Sequence, residues 1–491
     1  MTGRLTGEIG QRTRRLIYGE LGAADIAAEL NLQTTVDQAH VLMLAGQGLV
    51  AAPAARGLLE CIGRLREQQY APLIGRPAPR GLYLMYEGYL IEQLGPDVGG
   101  MLHTGRSRND LKVTCTLLRL RAWLIEFAEQ ATRLEAILLA RARAYQDVLM
   151  PVYTHFQAAL PISYGYYLLG IAEALGRDLQ ALRQLADGLL VNPLGAGAVA
   201  GCDLPIDPDH TARLLGFQRS TRHALDAVAS RDVPLRLLGS VASIAITLSR
   251  LAADLQLWSS VEFGFLQFPD RLVGGSSAMP QKRNAFLLEH LRAKPAQVIG
   301  AWSAAAAAMS ATPFTNSIEV GTEAVASIWP GLTAAEHSVL LSQVLVSGAR
   351  PVPDRMAERA EHGFTTATAV ANRLVQQGIA FRSAHRAVGD AVRLAAEAGS
   401  TELADFGPDG WLAGIDRSSI QARGLLAAQA YGGGPGAFSS TLATAIARWQ
   451  DDRRWHTELR RASVTAEQQL QAELDRLLTD PVTPAASGDA A

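Results

Sequence analysis

Residues 274–284 read GGSSAMPQKRN, and the interpretation of the whole chain starts from this stretch. Two glycines and two serines predict a segment that can move. Pro280 suits the first turn of a helix, and the apolar spacing from Phe286 onward predicts that helix. A mobile loop with a hydroxyl group, followed by Lys282 and Asn284, can close over an anionic substrate and hold negative charge. A Gly/Ser linker between two helices has the same spacing, so the residues alone leave both interpretations open.

The second polar cluster is HTGRSRND, at residues 103–110. It places two arginines, a serine and an asparagine in one short turn. Arginine holds carboxylates through two parallel hydrogen bonds, so the turn is a candidate site for an acidic ligand. A solvated basic turn without a ligand has the same composition, and it stays open as an alternative.

The third cluster is THFQAALP, at residues 154–161. Thr154 can hydrogen-bond a carboxylate, and His155 at the start of a helix can hold or donate a proton. Equally, Thr154 can simply cap a helix from Ala158 to about Leu189, with His155 satisfied in the core. These residues alone leave open whether Thr154 and His155 act on a substrate or only support the fold.

Composition excludes several classes of protein. The formal net charge of −2 over 491 residues gives no electrostatic reason to expect nucleic acid or a membrane surface as partner. Three cysteines without metal-ligand spacing fit a reducing cytoplasm, and neither a metal nor a cofactor is expected. The N-terminus lacks the apolar core of a signal peptide, and Arg236 and Arg250 interrupt the most apolar segment, from Leu235 to Trp258. These features predict a soluble cytoplasmic protein that acts on a small molecule.

The apolar pattern predicts an all-α protein. Leucines and other apolar residues from Leu117 to Leu138 step by three and four, which indicates a long helix that ends at Pro151. Further helices are predicted over Leu235–Phe263, 285–312 and 323–347, and no alternating strand pattern is found. We expect three mainly helical domains, at residues 1–110, 111–350 and 351–491, with a disordered tail from Asp480.

The three clusters together resemble known enzymes. GGSSAMPQKRN is similar to the GSSxMPxKxN signature of the fumarase/aspartase superfamily, and HTGRSRND resembles its argininosuccinate lyase branch. THFQAALP is similar to the THxQxAQP segment of that branch, with Leu160 in place of the second glutamine. The resemblance implies an all-α fold with a long central helical bundle. It also implies a homotetramer in which three subunits build each site, and elimination of fumarate from a succinyl-containing substrate.

The resemblance also implies roles for individual residues. Ser276 would be the base that removes a proton next to a carboxylate, and Lys282 and Asn284 would stabilise the resulting aci-carboxylate. His155 would protonate the leaving nitrogen or order a water that does so. The substrate-binding residues would be Ser107, Arg108, Asn109, Thr154, Gln157, Ser277, Met279 and Asn284, joined on the amine side by Tyr83, Phe314 and Glu319.

The sequence departs from argininosuccinate lyases where they bind arginine. Gly81 and Tyr83 replace an Asp and a His of the family, and Phe314, Glu319 and Thr322 stand where the family has Tyr, Gln and Lys. The Lys that pairs with the arginine carboxylate is lost, while Glu319 adds a charge suited to an ammonium group. These exchanges would leave polar groups of arginine unpaired, each a loss of about 1–3 kcal/mol.

The resulting hypothesis is a carbon–nitrogen lyase that keeps the succinyl half of the site and changes the amine half. Its substrate would be an N-substituted aspartate such as the aminopolycarboxylate ethylenediamine-N,N'-disuccinate, and the relative with that chemistry is ethylenediamine-disuccinate lyase. Two alternatives stay open: an argininosuccinate lyase with an unusual pocket, and a non-catalytic structural homologue of the kind that delta-crystallins represent.

Overall fold

The computed structural model describes residues 9–19, 22–78, 80–401, 403–429 and 431–479. Within these ranges it contains seventeen α-helices and three small two-stranded sheets. The predicted all-α fold with a long central helical bundle is therefore confirmed. The tail predicted to be disordered from Asp480 lies outside the described residues.

The helices and strands follow one another in three groups. The first group is α1 (Gln11–Tyr18), α2 (Ala23–Gly46), α3 (Ala52–Glu67), α4 (Leu82–Leu94) and α5 (Pro96–Gly99). The second is α6 (Arg108–Ala144), β1 (Leu149–Thr154), β2 (Gln157–Ser163), α7 (Tyr164–Ala186), β3 (Val191–Asn192), α8 (Pro208–Leu214), β4 (Arg219–Ser220), α9 (Ala224–Ala229), α10 (Asp232–Trp258), β5 (Leu266–Gln267), α11 (Phe286–Met309) and α12 (Val325–Gly348), with a π-helical turn at Glu319–Ala324. The third is β6 (Arg350–Pro351), α13 (Pro353–Glu361), α14 (Ala367–Gln376), α15 (Phe381–Glu397), α16 (Ala422–Ala428) and α17 (Pro435–Thr479).

A β-hairpin replaces the predicted helix start after Thr154. Strands β1 and β2 are antiparallel, and Pro151 lies opposite Pro161 across the hairpin. Neither proline can donate to a ladder, which a two-stranded ribbon tolerates because both strands are edges, whereas Pro161 would break a helix interior. The predictions that no strand forms and that Thr154 caps a helix were therefore wrong. Helix α7 is capped instead by Ser163, whose Oγ accepts the N–H of Tyr166 at 3.0 Å.

The long helix α6 also ends earlier than predicted. It stops at Ala144 and not at Pro151, because the segment before Pro151 already leaves the helix to form β1. The residue before a proline disfavours the helical conformation, and Val152 and Thr154 are β-branched, so the strand is locally favoured. The predicted apolar seam is correct: Leu120, Leu124, Phe127, Ala131, Leu134 and Leu138 are all buried.

Helix α10 is the centre of the bundle. It packs against α7, α11 and α12, as its apolar pattern on more than one face predicts. Of the helices in the described ranges, it alone is long and apolar enough by composition to cross a membrane, with a mean hydropathy of 1.4. Buried core helices meet the same criterion, and the three neighbouring helices identify α10 as one of these.

Helix α17 returns from the C-terminal region to the centre of the molecule. It packs on α6 and α7 and also reaches α2, α3 and α8. Arg448 fixes it there, because its guanidinium lies 3.1 Å from Glu135 and 3.0 Å from Glu173. Gly176 of α7 leaves the room for this side chain, since a Cβ at that position would overlap the guanidinium. The predicted three-domain division stays a prediction, and α17 connects its parts.

Arg448→Met should destabilise the fold, and more so at pH 8 than at pH 6. Burial raises the pKa of Glu135 to about 7 even with Arg448 beside it. Glu135 therefore keeps its proton in the native state at pH values at which the unfolded chain has already released it. The free energy of unfolding consequently falls as the pH rises from the pKa of the unfolded chain to that of the native state. Removing the cation raises the pKa of Glu135 further, so at pH 8 the side chain must either keep its proton or carry an unpaired buried charge. Both cost free energy that is absent at pH 6, where the carboxyl is protonated with or without Arg448.

The measurement is the thermal midpoint at both pH values. Arg454→Met is the matched control on the same helix, because Arg454 pairs with Asp451 at the surface. It should change the midpoint little at either pH. An equal loss for both variants, or no difference between pH 6 and pH 8 for Arg448→Met, would contradict this account of α17.

Candidate functional site

The segment at 274–284 is a closed loop rather than the start of a helix. Gly274 and Asn284 exchange two backbone hydrogen bonds, both of 2.8 Å, so the two ends of the loop are held together. Pro280 was predicted to lie in the first turn of a helix, but the helix begins at Phe286, close to the start of the predicted range 285–312. The reason is the bridge itself, because it takes both backbone groups of Asn284 and so prevents helical hydrogen bonds across it.

Ser276 occupies a distinctive position inside this loop. Its Oγ accepts the N–H of Ala278 at 3.3 Å and the N–H of Met279 at 3.1 Å. Two donors aimed at one oxygen favour the oxyanion over the neutral hydroxyl, as in sites that hold developing negative charge. Ser277 and Lys282 lie exposed on the same loop.

The turn with two arginines lies at the start of α6. Ser107 caps the helix: its Oγ accepts the N–H of Asn109 at 3.2 Å. The Asn109 side chain donates to the carbonyl of Ala198 at 3.2 Å, while Arg108 points into solvent with no side-chain partner among the described residues. A free guanidinium at the N-terminus of a 37-residue helix is a favourable place for a carboxylate, because the helix dipole adds to the positive charge.

Asp110 holds this turn in place, and the sequence analysis did not single it out. One carboxylate oxygen accepts the N–H of Ser107 at 2.9 Å, and the other accepts those of Gly195 and Gly197 at 3.0 and 2.9 Å. The side chain is completely buried. Burial raises the pKa of Asp110, and the three N–H donors offset part of that effect. The available signal was the serine three residues earlier, which forms a capping box with Asp110.

A buried layer of charge supports the turn from below. Arg106 pairs with Asp37 of α2 at 2.6 Å, and both side chains are fully buried. The Tyr83 hydroxyl accepts from Arg106 at 3.2 Å and lies 2.8 Å from His103 Nδ1. Within one chain Tyr83 therefore faces the protein interior beneath the turn, and its predicted contact with substrate stays a prediction.

The tip of the β-hairpin carries the Thr-His pair. His155 and Phe156 both have positive φ, at 51° and 59°, and together they form the tight two-residue turn. A bulky residue such as Phe rarely adopts this conformation, and strain of this kind concentrates at functional sites. Thr154, His155 and Gln157 are exposed, and Phe156 is 83 % exposed. His155 thus lies at a hairpin tip and not at a helix start.

The segment predicted to line the amine half precedes α12. Phe314 is 62 % exposed, and Glu319 is exposed in the first turn of the π-helical segment. π-Helical turns occur frequently at functional sites. Hydrogen bonds to Ser317 and to the Glu319 backbone lower the pKa of the Glu319 carboxyl, so it is an anion at neutral pH. Thr322 accepts a hydrogen bond of 2.6 Å from Lys112, a residue of α6 that the sequence analysis missed.

The structure brings some of these segments together within one chain. The Lys112–Thr322 bond joins the amine-side segment to α6, one helical turn beyond Arg108. By contrast, across the parts of the chain that the structure describes, no side-chain hydrogen bond or ion pair links the 276–284 loop, the 107–109 turn and the 154–157 hairpin tip. The contribution of several subunits to one site stays a prediction. The described residues include no group of His, Cys, Asp or Glu arranged to hold a metal ion.

Comparisons with known sequences identify relatives of this chain. A lyase family model matches residues 82–300, and a model of the argininosuccinate lyase C-terminal region matches residues 364–411. The argininosuccinate lyase of Methanoculleus marisnigri is 36 % identical over 76 % of this chain and 77 % of its own length. The argininosuccinate lyase of Thermus thermophilus is 36 % identical over 78 % of this chain and 85 % of its own length.

Comparison with solved structures identifies a second kind of relative. The crystal structure of EDDS lyase in complex with formate superimposes with a TM-score of 0.85 at 26 % identity, covering 96 % of this chain and 97 % of that one. The 3-carboxy-cis,cis-muconate lactonizing enzyme of Pseudomonas putida has the same fold, with a TM-score of 0.69 at 22 % identity. EDDS is ethylenediamine-disuccinate.

Asp110→Asn should weaken both the fold and the site. The amide has nearly the same shape, but only one of its two terminal groups is an oxygen, so its NH₂ must face either the N–H groups of Gly195 and Gly197 or that of Ser107. Leaving such buried donors unpaired costs about 1–3 kcal/mol. We expect a lower thermal midpoint and a raised KM for any substrate that binds at the 107–109 turn. Asp209→Asn, an exposed aspartate in the first turn of α8, is the control and should change neither. A normal midpoint for Asp110→Asn would show that this carboxylate does not hold the turn.

Proposed function

We propose that this chain acts on an N-substituted aspartate whose amine half is not arginine. The chain belongs to the argininosuccinate lyase branch of the fumarase/aspartase superfamily, and it is a carbon–nitrogen lyase that releases fumarate. Ethylenediamine-N,N'-disuccinate is the substrate that we favour. The observation that carries the proposal is the contrast between two halves of the site: the signature loop and the double-arginine turn are intact, while the amine-side wall at 314–322 differs.

In the proposed reaction, Ser276 removes a proton from the carbon next to a carboxylate of the succinyl group. The electron pair is held as an aci-carboxylate, to which Lys282 and Asn284 offer a cation and a donor. The carbon–nitrogen bond then breaks, fumarate forms, and the nitrogen takes a proton from His155 or from a water that it orders. The two N–H groups that reach Ser276 Oγ support its role as base, since they favour the deprotonated oxygen.

The proposed succinyl site combines the remaining segments. Arg108 has an unpaired guanidinium, and Ser107 and Asn109 flank it at the positive end of α6. Thr154 and Gln157 are exposed at the hairpin tip and available to a carboxylate from a second direction. Ser277 and Met279, on the signature loop, complete the proposed enclosure of the four-carbon diacid.

Two observations support an amine half that differs from arginine. The anionic Glu319 is suited to an ammonium group, and Phe314 offers an exposed apolar surface in the same segment. The overlap with EDDS lyase, over nearly the whole of both chains, supports the same reading. Because the chain has argininosuccinate lyase relatives, a second candidate function is cleavage of argininosuccinate to arginine and fumarate. A third is a non-catalytic structural homologue.

The decisive experiment is to incubate purified protein with fumarate and either arginine or ethylenediamine, and separately with the corresponding adducts. We expect adduct formation with the diamine and fumarate release from its succinyl derivatives, followed by the ultraviolet absorbance of fumarate. Ser276→Ala should lower turnover by at least about 100-fold without changing assembly, because it removes the base. Adduct formation with arginine and none with the diamine would refute the substrate change. No reaction with any of these compounds would favour the non-catalytic structural homologue.

A homotetramer with shared sites belongs to the same proposal. Exposed apolar side chains lie on the central helices: Ile246 on α10, Ile299 and Trp302 on α11, and Val344 on α12, each at least 42 % exposed. Helices of a bundle usually bury such residues, and second copies of this chain would do so here. Cys61, Cys115 and Cys202 are all free, which fits a reducing cytoplasm.

Mixing inactive variants tests the shared site. When Arg108→Met and Ser276→Ala chains are co-expressed, some sites of a mixed tetramer should receive a native turn from one subunit and a native loop from another. Activity should therefore return to a measurable fraction of the wild-type value. The matched control combines Ser276→Ala with Lys282→Met, which lie on the same loop and should not complement each other. Failure of the first pair, with mixed tetramers present by mass spectrometry, would mean that turn and loop come from one chain.

A further inference from the structure

Lys112 is a cation that the proposed chemistry leaves unassigned. Among the 45 lysines and arginines of this chain only three are lysines, at positions 112, 282 and 294. Position 282 belongs to the signature loop. A chain that uses arginine almost everywhere has thus placed one of its few lysines on α6, next to the double-arginine turn. An ammonium concentrates its charge in a smaller group than a guanidinium does, so the two are not equivalent for a ligand.

The position of Lys112 links the two halves of the site. It lies four residues after Arg108 on the same face of α6, and residues so spaced have Cβ atoms about 5–6 Å apart. Its Nζ donates to Thr322 Oγ1 at 2.6 Å, on the segment that carries Phe314 and Glu319. Thr322 is the position at which the resemblance places the family's carboxylate-binding lysine. Lys112, on the facing helix α6, therefore supplies the positive charge that the family carries on that segment.

The ammonium of Lys112 has no paired anion in the described part of the chain. Glu29 and Glu323 favour its charged form and Arg231 opposes it, but neither acid forms an ion pair with Lys112 within 4.0 Å. The Lys112 side chain is exposed to solvent, but desolvation by its neighbours outweighs these acids and lowers its pKa. A cation held in such surroundings, with a neutral hydroxyl as its one hydrogen-bond partner, is suited to bind an anion that arrives with the substrate.

We infer that Lys112, positioned by Thr322, binds a carboxylate on the amine half of the substrate. This rests on the proposed function and narrows it: the leaving amine of the preferred substrate carries a carboxylate of its own, as in an aminopolycarboxylate. A substrate with a succinyl group at each end satisfies both cations of α6, with one end at Arg108 and the carboxylates of the other end at Lys112. Glu319 is then left for the ammonium group of a product or of a singly substituted substrate.

The test compares two substrates in wild type and Lys112→Met. Ethylenediamine-N,N'-disuccinate carries carboxylates on its amine half, and N-(2-aminoethyl)aspartate carries none. Lys112→Met keeps the length of the side chain and removes its charge. We expect kcat/KM for the disuccinate to fall by about 10- to 100-fold, mainly through KM, as for loss of one charged hydrogen bond. The value for N-(2-aminoethyl)aspartate should stay within about twofold, because its amine half offers no carboxylate to Lys112.

Matched variants separate charge from packing. Lys112→Arg should keep part of the preference for the disuccinate over N-(2-aminoethyl)aspartate. Thr322→Val should lower kcat/KM for the disuccinate by a smaller factor than Lys112→Met does. Lys294→Met removes a charge from α11 and should leave the ratio of the two substrates unchanged, with the assembly state of each variant checked by gel filtration. Equal losses for both substrates in Lys112→Met, or no loss for either, would overturn the inference. Absence of turnover of both substrates by wild type would instead overturn the proposed function.

Discussion

The arrangement of this molecule depends on a single buried carboxylate. Asp110 accepts the N–H groups of Ser107, Gly195 and Gly197, and so fixes the first turn of the longest helix in the central bundle against the loop that precedes α8. A buried acceptor with several fixed donors tolerates little displacement, because each donor left unpaired is costly. The backbone of the turn that carries Arg108 is therefore fixed, and this places the exposed Arg108 side chain at the N-terminus of α6, where a ligand can reach it.

Below that turn the protein buries charge instead of apolar side chains. The Arg106–Asp37 pair joins α2 to the turn, and Tyr83 and His103 complete the polar layer. Burial lowers the pKa of His103 to about 4, so the imidazole is neutral at physiological pH and does not compete with Arg108 for an anion. Buried ion pairs seldom add net stability, but they fix relative orientation, which is what a carboxylate-binding turn requires.

The exposed segments of the site differ from this buried polar layer, because they face solvent. The hairpin tip has two residues with positive φ, and the signature loop is closed at its base by the Gly274–Asn284 bridge. Both present polar groups and large apolar side chains to solvent, among them Phe156 and Met279. Surfaces of this kind are rarely left uncovered in a stable enzyme. The proposed assembly gives them a role, since each would be covered by a neighbouring copy and contribute to that neighbour's site.

The sequence by itself determined the helical class, the long apolar seam of α6, the central position of α10 and the membership in a lyase family, because these depend on local periodicity and on contiguous motifs. It also predicted a changed amine-side segment at 314–322, which stays a prediction. Only the tertiary structure decided the hairpin at 149–163, the closed loop after Gly274, and the contacts of Asp110 and Lys112. Those features depend on contacts between residues far apart in the chain: Lys112 meets Thr322, and Asp110 meets Gly195. Such contacts leave no periodic trace in the sequence, since the two partners share neither a helix face nor a motif.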